Sequence, residues 1–287
     1  MSTLVFGVGM HGRAAYRMLK RKGVSVVGFL DNDRGKTGGS FAGHTVYHPE
    51  DLNGLKFDTV VLAGRNIGAI SRQLVDEFGM SEGRLRLLTR SELKPPPEVI
   101  SRRSKATDFL LRTAIRTFES LGGNYWMDAS SLLALMRGTD LAEFSDVDVT
   151  VVCPQLLDRV WNSLLERKDR PFGLERFEVL KSKGPFEAGV IKKIVIRSSE
   201  PIEEIEPACV DIVLKLPYGD RYLMPYLDRF LYVPRRHFEG FDNATYNGLS
   251  LRVPLELEGY RTLKYGEDWR TPTEFWGADE YGNELRI

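Results

Sequence analysis

Two carboxylates, Asp146 and Asp148, stand two residues apart at the start of an apolar run that continues to Val152. Valine and threonine crowd this run, as is typical of a buried strand, and strand side chains at positions i and i+2 lie on the same face. Like charges held so close repel each other unless a cation lies between them, and Mg²⁺ prefers such hard oxygen ligands. An isolated pair of this kind is more often two solvated aspartates at a strand edge, so the surrounding residues decide the interpretation.

The segment before these acids favours the metal site. Ser130 and Ser131 follow a predicted short strand and open a predicted helix that ends near Arg137. The two serines are good N-cap residues, which is the plain structural explanation. A helix N-terminus with hydroxyl groups and a nearby arginine is also an anion site. We therefore expect a compact unit that holds a nucleotide diphosphate or triphosphate through Mg²⁺.

A second chemical pattern lies at the start of the chain. Residues 2–8 and 24–30 are apolar runs typical of strands, and residues 13–21 have a helical pattern. Between the first strand and the helix lies a turn that contains Gly7, Gly9, His11 and Gly12, and Asp31 follows the second strand. Glycines let backbone N–H groups approach a phosphate, and an acid at this place accepts ribose hydroxyls. This order predicts a Rossmann-like nucleotide site formed by these five residues, with His11 facing either a phosphate or solvent.

Length and proline content predict two domains. A chain of 287 residues exceeds the usual length of one domain. Three consecutive prolines in residues 93–98 favour an extended spacer, because proline lacks the backbone donor that a helix interior needs. We predict an α/β protein with a Rossmann-like parallel-sheet domain at residues 1–98 and an α+β domain at residues 104–287, whose first helix covers residues 106–121.

Composition narrows the partners. Lys+Arg and Asp+Glu balance at 40 each, so the sequence offers no electrostatic footprint for bulk nucleic-acid binding. No apolar stretch approaches the roughly 18 residues of a transmembrane helix. The sequence predicts a cytoplasmic protein without a transmembrane segment.

The first domain resembles the small Rossmann domains of sugar O- and N-acyltransferases and of some sugar C-methyltransferases. The likeness rests on the strand end that leads from Gly28 to Asp31, the glycine-punctuated loop after it, and the strand near residues 58–63. It implies a pocket for a nucleotide or a nucleotide-sugar more than a redox centre. A domain kept for assembly, with an empty pocket, is the alternative.

The second domain is similar to the nucleotidyltransferase superfamily, and within it to the LicD/fukutin-type phosphotransferases. Their small-residue turn and arginine correspond to residues 130–137, and their Asp-rich strand corresponds to residues 145–149. Their C-terminal signature corresponds to residues 264–272, where tyrosine, glycine, tryptophan and proline recur at the family spacing. The superfamily places a third acid on a later strand, and Asp211 is the matching residue.

The resemblance implies Mg²⁺-dependent transfer of a phosphorylated alcohol, such as phosphocholine or a polyol phosphate, from a CDP-activated alcohol donor to a sugar or glycan acceptor in cell-surface glycan synthesis. Asp146, Asp148 and Asp211 would hold the metal, with Asp211 either a ligand or the general base. Contacts to the donor would come from five residues: Ser130, Ser131, Arg137, Lys264 and Arg270.

Two other functions stay open. The same carboxylates would serve a nucleotidyltransferase that adds NMP to a small molecule. A non-catalytic subunit of a glycan-assembly complex is the second, because Ser130 and Ala134 replace the glycines of the family's turn and Phe144 and Ser145 replace its upstream acids. A dehydrogenase is the least favoured, since the first domain offers no catalytic Tyr-x-x-x-Lys or Cys/His pair; its single Tyr-x-x-x-Lys, Tyr16 to Lys20, lies in the helix predicted after the glycine turn.

Overall fold

The structure is a computed structural model that describes residues 2–63, 67–144, 146–168, 170–199, 207–226, 229–272 and 281–286. The chain forms two compact units, and the division along the chain falls between Pro95 and Pro96. No helix in the described part of the chain is both long enough and apolar enough to cross a membrane.

The first unit is built on a mostly parallel sheet. Its strands are β1 (Ser2–Phe6), β2 (Ser25–Leu30), β3 (Ser40–Phe41), β4 (His44–Tyr47), β5 (Thr59–Leu62) and β6 (Leu85–Leu87), and its helices are α1 (Met10–Arg21), α2 (Ile67–Asp76) and α3 (Arg90–Leu93). The strand order is β3-β4-β2-β1-β5-β6, and only the β3–β4 pair is antiparallel. Short 3₁₀ helices cover Pro49–Gly54 and Glu82–Arg84.

Both faces of this sheet are covered, which explains the nearly continuous apolar character of its strands. Val5 belongs to one buried cluster, which also contains Ala15 and Leu19 of α1. Leu4 belongs to a second cluster, which contains Leu74 of α2. Alternate residues of β1 thus enter opposite core layers, as the two-residue strand period requires. This is the Rossmann-like arrangement that the sequence predicts.

The second unit mixes helices with three sheets among its described residues. Its helices are α4 (Pro97–Ser120), α5 (Ala129–Arg137), α6 (Pro154–Leu165) and α7 (Leu257–Tyr265). Its strands are β7 (Trp126–Met127), β8 (Val147–Val151), β9 (Phe172–Glu178), β10 (Ile191–Ser198), β11 (Cys209–Leu214), β12 (Leu216–Tyr218), β13 (Arg221–Tyr226), β14 (Arg229–Pro234), β15 (Asp242–Tyr246), β16 (Leu249–Val253) and β17 (Glu284–Leu285). Two 3₁₀ helices cover Leu141–Glu143 and Arg235–Phe238.

The central sheet of this unit has the order β7-β8-β11-β10-β9. The β8–β11 pair is parallel, and the other pairs are antiparallel. The smaller sheets have the orders β12-β13-β14-β17 and β15-β16. A single large apolar cluster joins the central sheet to α4, α5 and α6. The fold class expected from the sequence, a Rossmann-like domain followed by an α+β domain, is confirmed.

The segment between the two units differs from the extended spacer expected for residues 93–98. α3 ends at Leu93, and α4 begins at Pro97, nine residues before the helix that the sequence predicts at residue 106. Pro97 occupies the first turn of α4, where its missing N–H costs nothing because those donors have no partner within the helix. The prolines therefore mark where one helix stops and the next starts.

Candidate functional site

Three carboxylates converge on one face of the central sheet. β8 and β11 run parallel, and Asp148 on β8 is the register partner of Asp211 on β11. Asp146 lies two residues before Asp148, so its side chain belongs to the same face. One oxygen from each of these residues lies within 4.8 Å of the others. The structure thus brings together all three acids that the sequence proposes for metal binding.

This cluster carries more negative charge than its surroundings favour. The pKa of Asp148 is raised well above its usual value, because burial disfavours the ionised form and the charges of Asp146 and Asp211 repel it. Burial also raises the pKa of Asp211, although Lys193 opposes that shift. The attraction of a bound cation would offset the desolvation and relieve the like-charge repulsion, and three carboxylates form an oxygen donor set of the kind that Mg²⁺ takes.

The two serines act on Asp148 in different ways. The Ser130 hydroxyl donates to Asp148 Oδ2 at 3.3 Å, so it orients the carboxylate directly. The Ser131 hydroxyl is fully buried and accepts a hydrogen bond from the Asp148 backbone N at 2.7 Å. Ser131 therefore fixes the strand, and the predicted contact with a phosphate does not fit its position. Ser130 keeps its place as a candidate for substrate binding.

The residue that caps α5 is Asp128. Its side chain accepts a hydrogen bond from Ala129 N at 2.6 Å. Ala129 has a φ of +46°, a left-handed conformation that is costly for alanine. Asp128, not either serine, therefore determines where the helix beside the carboxylates begins.

Asp128 is also the centre of a buried ionic network. Its carboxylate forms ion pairs with Lys215 and with Lys264, the latter at 3.0 Å, and accepts hydrogen bonds from Tyr260 at 2.5 Å and Thr150 at 2.8 Å. Burial opposes ionisation, but the two lysines outweigh it and hold the pKa of Asp128 well below its usual value. Burial lowers the pKa of Lys215 to about 8, against the influence of Asp128.

Lys264 has a partner that the resemblance does not anticipate. Its side chain is buried and ion-paired with Asp128 at 3.0 Å, and its predicted contact with a donor stays a prediction. No local pattern in the sequence indicates this pairing, since Lys264 and Asp128 are 136 residues apart.

The two arginines of the predicted donor site hold the C-terminal segment. Arg137 donates from Nη2 to the backbone oxygen of Trp269 and to that of Thr271 at 3.4 Å. Arg270 is exposed, forms an ion pair with Glu258 at 2.5 Å, and lies over the Trp269 ring with its guanidinium carbon 4.4 Å from the ring centroid. Both residues thus have partners within the protein, and their predicted contacts with a donor phosphate stay predictions.

Lys193 on β10 is a cation at the carboxylate cluster that sequence reasoning missed. It forms an ion pair with Asp211 through Oδ2. No local signal singled it out, because β10 also contains Lys192 and Arg197.

The glycine turn of the first unit has the expected geometry. Gly7 has a φ of +90°, and a Cβ on Gly12 would lie 1.8 Å from the Gly7 carbonyl oxygen, so the turn and α1 approach too closely for any other residue at position 12. Gly9 is the N-cap of α1, and because glycine has no side chain, this helix end has no side-chain cap. His11 is partly buried in the first turn of α1.

Asp31 is not placed as expected for an acid that binds the hydroxyl groups of a ribose. It is buried, and its carboxylate accepts hydrogen bonds from the backbone N of Val8 at 3.1 Å and of Asp33 at 3.0 Å. Lys36 lies 3.4 Å away as an ion-pair partner. Asp31 therefore fastens the glycine turn to the end of β2, and its oxygens are already engaged.

A family profile described as C2185-like, N-terminal, matches residues 1–85. None of the curated proteins matches the chain.

Solved structures with some likeness cover both units. The lincomycin-bound lincosamide antibiotic adenylyltransferase LnuA is 14% identical, with 52% of this chain and 80% of that chain covered and a TM-score of 0.34. UDP-D-quinovosamine 4-dehydrogenase from Vibrio fischeri is 21% identical, with 35% and 83% covered and a TM-score of 0.24. The putative oxidoreductase yvaA from Bacillus subtilis is 10% identical, with 97% and 92% covered and a TM-score of 0.23. At these TM-scores no functional argument follows.

Proposed function

We propose that the second unit is a Mg²⁺-dependent phosphotransferase of the LicD type. It transfers a phosphorylated alcohol, phosphocholine-like or polyol-phosphate-like, from a CDP-linked donor to a sugar hydroxyl, in the cytoplasmic steps of cell-surface glycan synthesis. The observation that carries the proposal is the convergence of Asp146, Asp148 and Asp211 within 4.8 Å. Alcohol and acceptor class come from the sequence resemblance alone.

The chemistry needs charge neutralisation more than covalent participation of the protein. In phosphoryl transfer, positioning and electrostatic stabilisation supply most of the rate enhancement. The three carboxylates would hold Mg²⁺, which supplies Lewis-acid stabilisation of the charge that develops on the leaving nucleotide. The Ser130 hydroxyl, 3.3 Å from Asp148 Oδ2, keeps one of these carboxylates oriented.

The helix beside the site contributes a fixed dipole. α5 begins at Ala129, directly after its cap Asp128, and Ser130 belongs to its first turn. The positive end of a helix stabilises an anion, and here it lies beside the carboxylates that would bring a diphosphate in with the metal. The buried lysines on Asp128 keep this helix end in place.

Product analysis tests the proposal. The purified protein is incubated with Mg²⁺ and either CDP-choline or CDP-ribitol, together with a panel of sugar acceptors, and nucleotide products are separated by chromatography. Release of CMP that depends on both acceptor and metal supports phosphotransfer. Release of pyrophosphate from CTP or ATP, with no CMP from the CDP-alcohols, would show a nucleotidyltransferase. A non-catalytic subunit would be favoured by two results together: neither product is formed, and Asp148→Asn has no effect on glycan phosphorylation in cells.

For the first unit we propose a nucleotide or nucleotide-sugar site at the glycine turn. A Cβ on Gly9 meets no atom within 4 Å, so a larger residue there fits the fold but fills the space before the α1 N-terminus. Titration of the full chain with UDP-sugars, CDP-alcohols and NAD measures binding. The Gly9→Val variant should lose that binding with only a modest fall in melting temperature, because valine is a poorer N-cap residue than glycine, and equal binding by both proteins would place the ligand elsewhere.

A further inference from the structure

Phe177 is an exposed aromatic side chain on the same face of the central sheet as the carboxylate cluster. In the register of β10 and β11, Asp211 lies opposite Val195, and Lys193 is two residues from Val195. Lys193 in turn lies opposite Phe177 of β9. Residues directly opposite each other, and residues two apart on one strand, point to the same side of a sheet. Phe177, Lys193 and Asp211 therefore share one face.

The Lys193 ammonium group links the ring to the carboxylates. It donates a hydrogen bond to Asp211 Oδ2, and it lies 5.7 Å from the ring centroid of Phe177. An ammonium group has three N–H donors, and Asp211 is the one acceptor it has among the described residues. The Lys193 side chain is 34% exposed, so its other donors are available to an anion that arrives from solvent.

The Phe177 ring does not belong to the core. Its side chain is 44% exposed, and the buried apolar clusters of the described residues do not contain it. A single exposed aromatic residue is common on protein surfaces, so the position beside the ammonium group decides the interpretation. An exposed ring next to a cation is a surface on which a nucleobase can stack while its phosphates meet the positive charge.

Two further charged residues lie on this face. Arg197 lies opposite Cys209, two residues beyond Val195, and its charge acts on Asp211. It also forms an ion pair with Glu175 at 3.7 Å. This pair reduces the repulsion that Glu175 would exert on a phosphate beside the ring.

We propose that Phe177 and Lys193 form the nucleoside diphosphate subsite of the second unit. The base stacks on the Phe177 ring, and the phosphates bind the Lys193 ammonium group together with the cation at the carboxylates. This inference rests on the proposed function, because it concerns the donor of the same site. A nucleoside diphosphate matches both groups, since it has a flat ring at one end and a charged diphosphate at the other. A neutral sugar acceptor would leave the ammonium group unused. Stacking tolerates every base, so the subsite selects this class of ligand and not cytosine in particular.

A comparison of two ligands tests the subsite. CDP and inorganic pyrophosphate, which is a diphosphate without a base, are titrated calorimetrically into the full chain at saturating Mg²⁺ and again in EDTA. The quantity compared is the binding that requires Mg²⁺ and that Asp148→Asn lacks. A nucleotide bound by the first unit therefore does not contribute.

Phe177→Ala should weaken the Mg²⁺-dependent binding of CDP at least about fivefold, because it removes the stacking surface. Binding of pyrophosphate should stay within twofold of the wild type. Phe177→Tyr keeps a ring and should bind both ligands normally. Phe109→Ala, which removes a phenylalanine of α4 that is 45% exposed, is the matched control and should also bind both.

Lys193→Met should weaken both ligands about tenfold or more, because each loses a hydrogen bond from a charged donor. Lys193→Arg keeps the charge and should retain most of the binding. Melting temperatures verify that each variant is folded, and Phe177→Leu is the second variant without a ring if Phe177→Ala is unstable.

The outcomes are distinct. Unchanged CDP binding in both variants without a ring, or an equal loss of CDP and pyrophosphate, overturns the stacking. A weaker affinity for a sugar acceptor with unchanged CDP binding places the acceptor at Phe177 and overturns it as well. If the expected losses occur but CDP-alcohols release no CMP, the subsite stands and the proposed phosphotransfer fails. No Mg²⁺-dependent binding of either ligand to the wild type removes both.

Discussion

Asp128 and Asp148 are neighbours in the second unit, yet their surroundings shift their pKa values in opposite directions. The backbone N of Asp128 donates to the backbone oxygen of Asp148 at 3.0 Å, and burial disfavours the charge of both carboxylates. Around Asp128 two lysines outweigh burial and lower the pKa. Around Asp148, burial and the carboxylates of Asp146, Asp211 and Asp128 raise the pKa. A buried acid is therefore not in itself a sign of function. The like-charge repulsion from neighbouring carboxylates is the better indication of a functional site.

The comparison distinguishes an ionic network that supports the fold from a carboxylate cluster that could bind a metal ion. In the network of Asp128, Lys215 and Lys264, one carboxylate is ion-paired with two lysines. In the cluster of Asp146, Asp148 and Asp211, the carboxylates repel one another, and Lys193 is ion-paired with Asp211. Loss of a partner from the network should cost stability, whereas a bound cation would relieve the repulsion within the cluster.

The largest expected effect is the loss of activity in Asp148→Asn. Removal of an outer partner of a metal ligand typically costs 10–100-fold, so removal of the ligand charge itself should exceed about 100-fold in kcat/KM for CMP release. The free energy of unfolding should stay equal or rise, because one repelling charge is gone. A variant that keeps its activity would remove Asp148 from the site.

Asp128→Asn should show the reverse pattern, a large loss of stability. Breaking a buried ion pair on one side leaves uncompensated charge and costs about 3–5 kcal/mol. Urea unfolding measures this loss, and Asp220→Asn, which changes an acid whose side chain is 89% exposed, is the control. A loss as small as that of the control would mean that the lysines find other partners.

Metal addition should stabilise the wild type and not Asp148→Asn. At a free Mg²⁺ concentration 100 times the dissociation constant, the free energy of unfolding should rise by about 2.7 kcal/mol. Thermal melts with Mg²⁺ and with EDTA give the difference. An equal rise in both proteins would indicate an ion bound elsewhere.

The pH dependence of stability should also divide the two aspartates. The folded-state pKa of Asp148 is raised, so the folded protein takes up this proton first, and stability rises as pH falls from that pKa toward the unfolded value of about 3.9. Asp128 has the opposite sign: its contribution is present above about 3.9 and is lost as pH falls through its lowered pKa.

Urea unfolding between pH 7 and pH 4.5 measures the first of these effects. Without metal, the wild type should gain stability relative to Asp148→Asn as pH falls through this range. Mg²⁺ should remove the gain, because a bound cation holds the carboxylate ionised. Parallel curves for the two proteins would show that Asp148 does not titrate abnormally.

The features that could be predicted from the sequence are those that depend on local periodicity. The two-residue strand period puts Asp146 and Asp148 on one face, and the apolar run around Asp211 marks its strand. The glycine turn and its flanking strands follow from equally local rules. The start of α4 was missed because Pro97 was interpreted as a spacer, although proline favours the first turn of a helix.

Contacts between distant segments could not be predicted in this way. Asp128 meets Lys215 and Lys264 over separations of 87 and 136 residues, and no spacing rule joins them. Lys264 was therefore predicted to contact the donor, with no sign of its ion pair with Asp128. Register alone brings Lys193 to Asp211, and it is fixed only when β10 and β11 pair.

Anomalous scattering from crystals soaked in Mn²⁺ tests the central claim most directly. The account predicts a manganese peak bonded to carboxylate oxygens of Asp146, Asp148 and Asp211, and none at Asp128. Well-ordered carboxylates without a manganese peak between them, or a peak at Asp128, would contradict it.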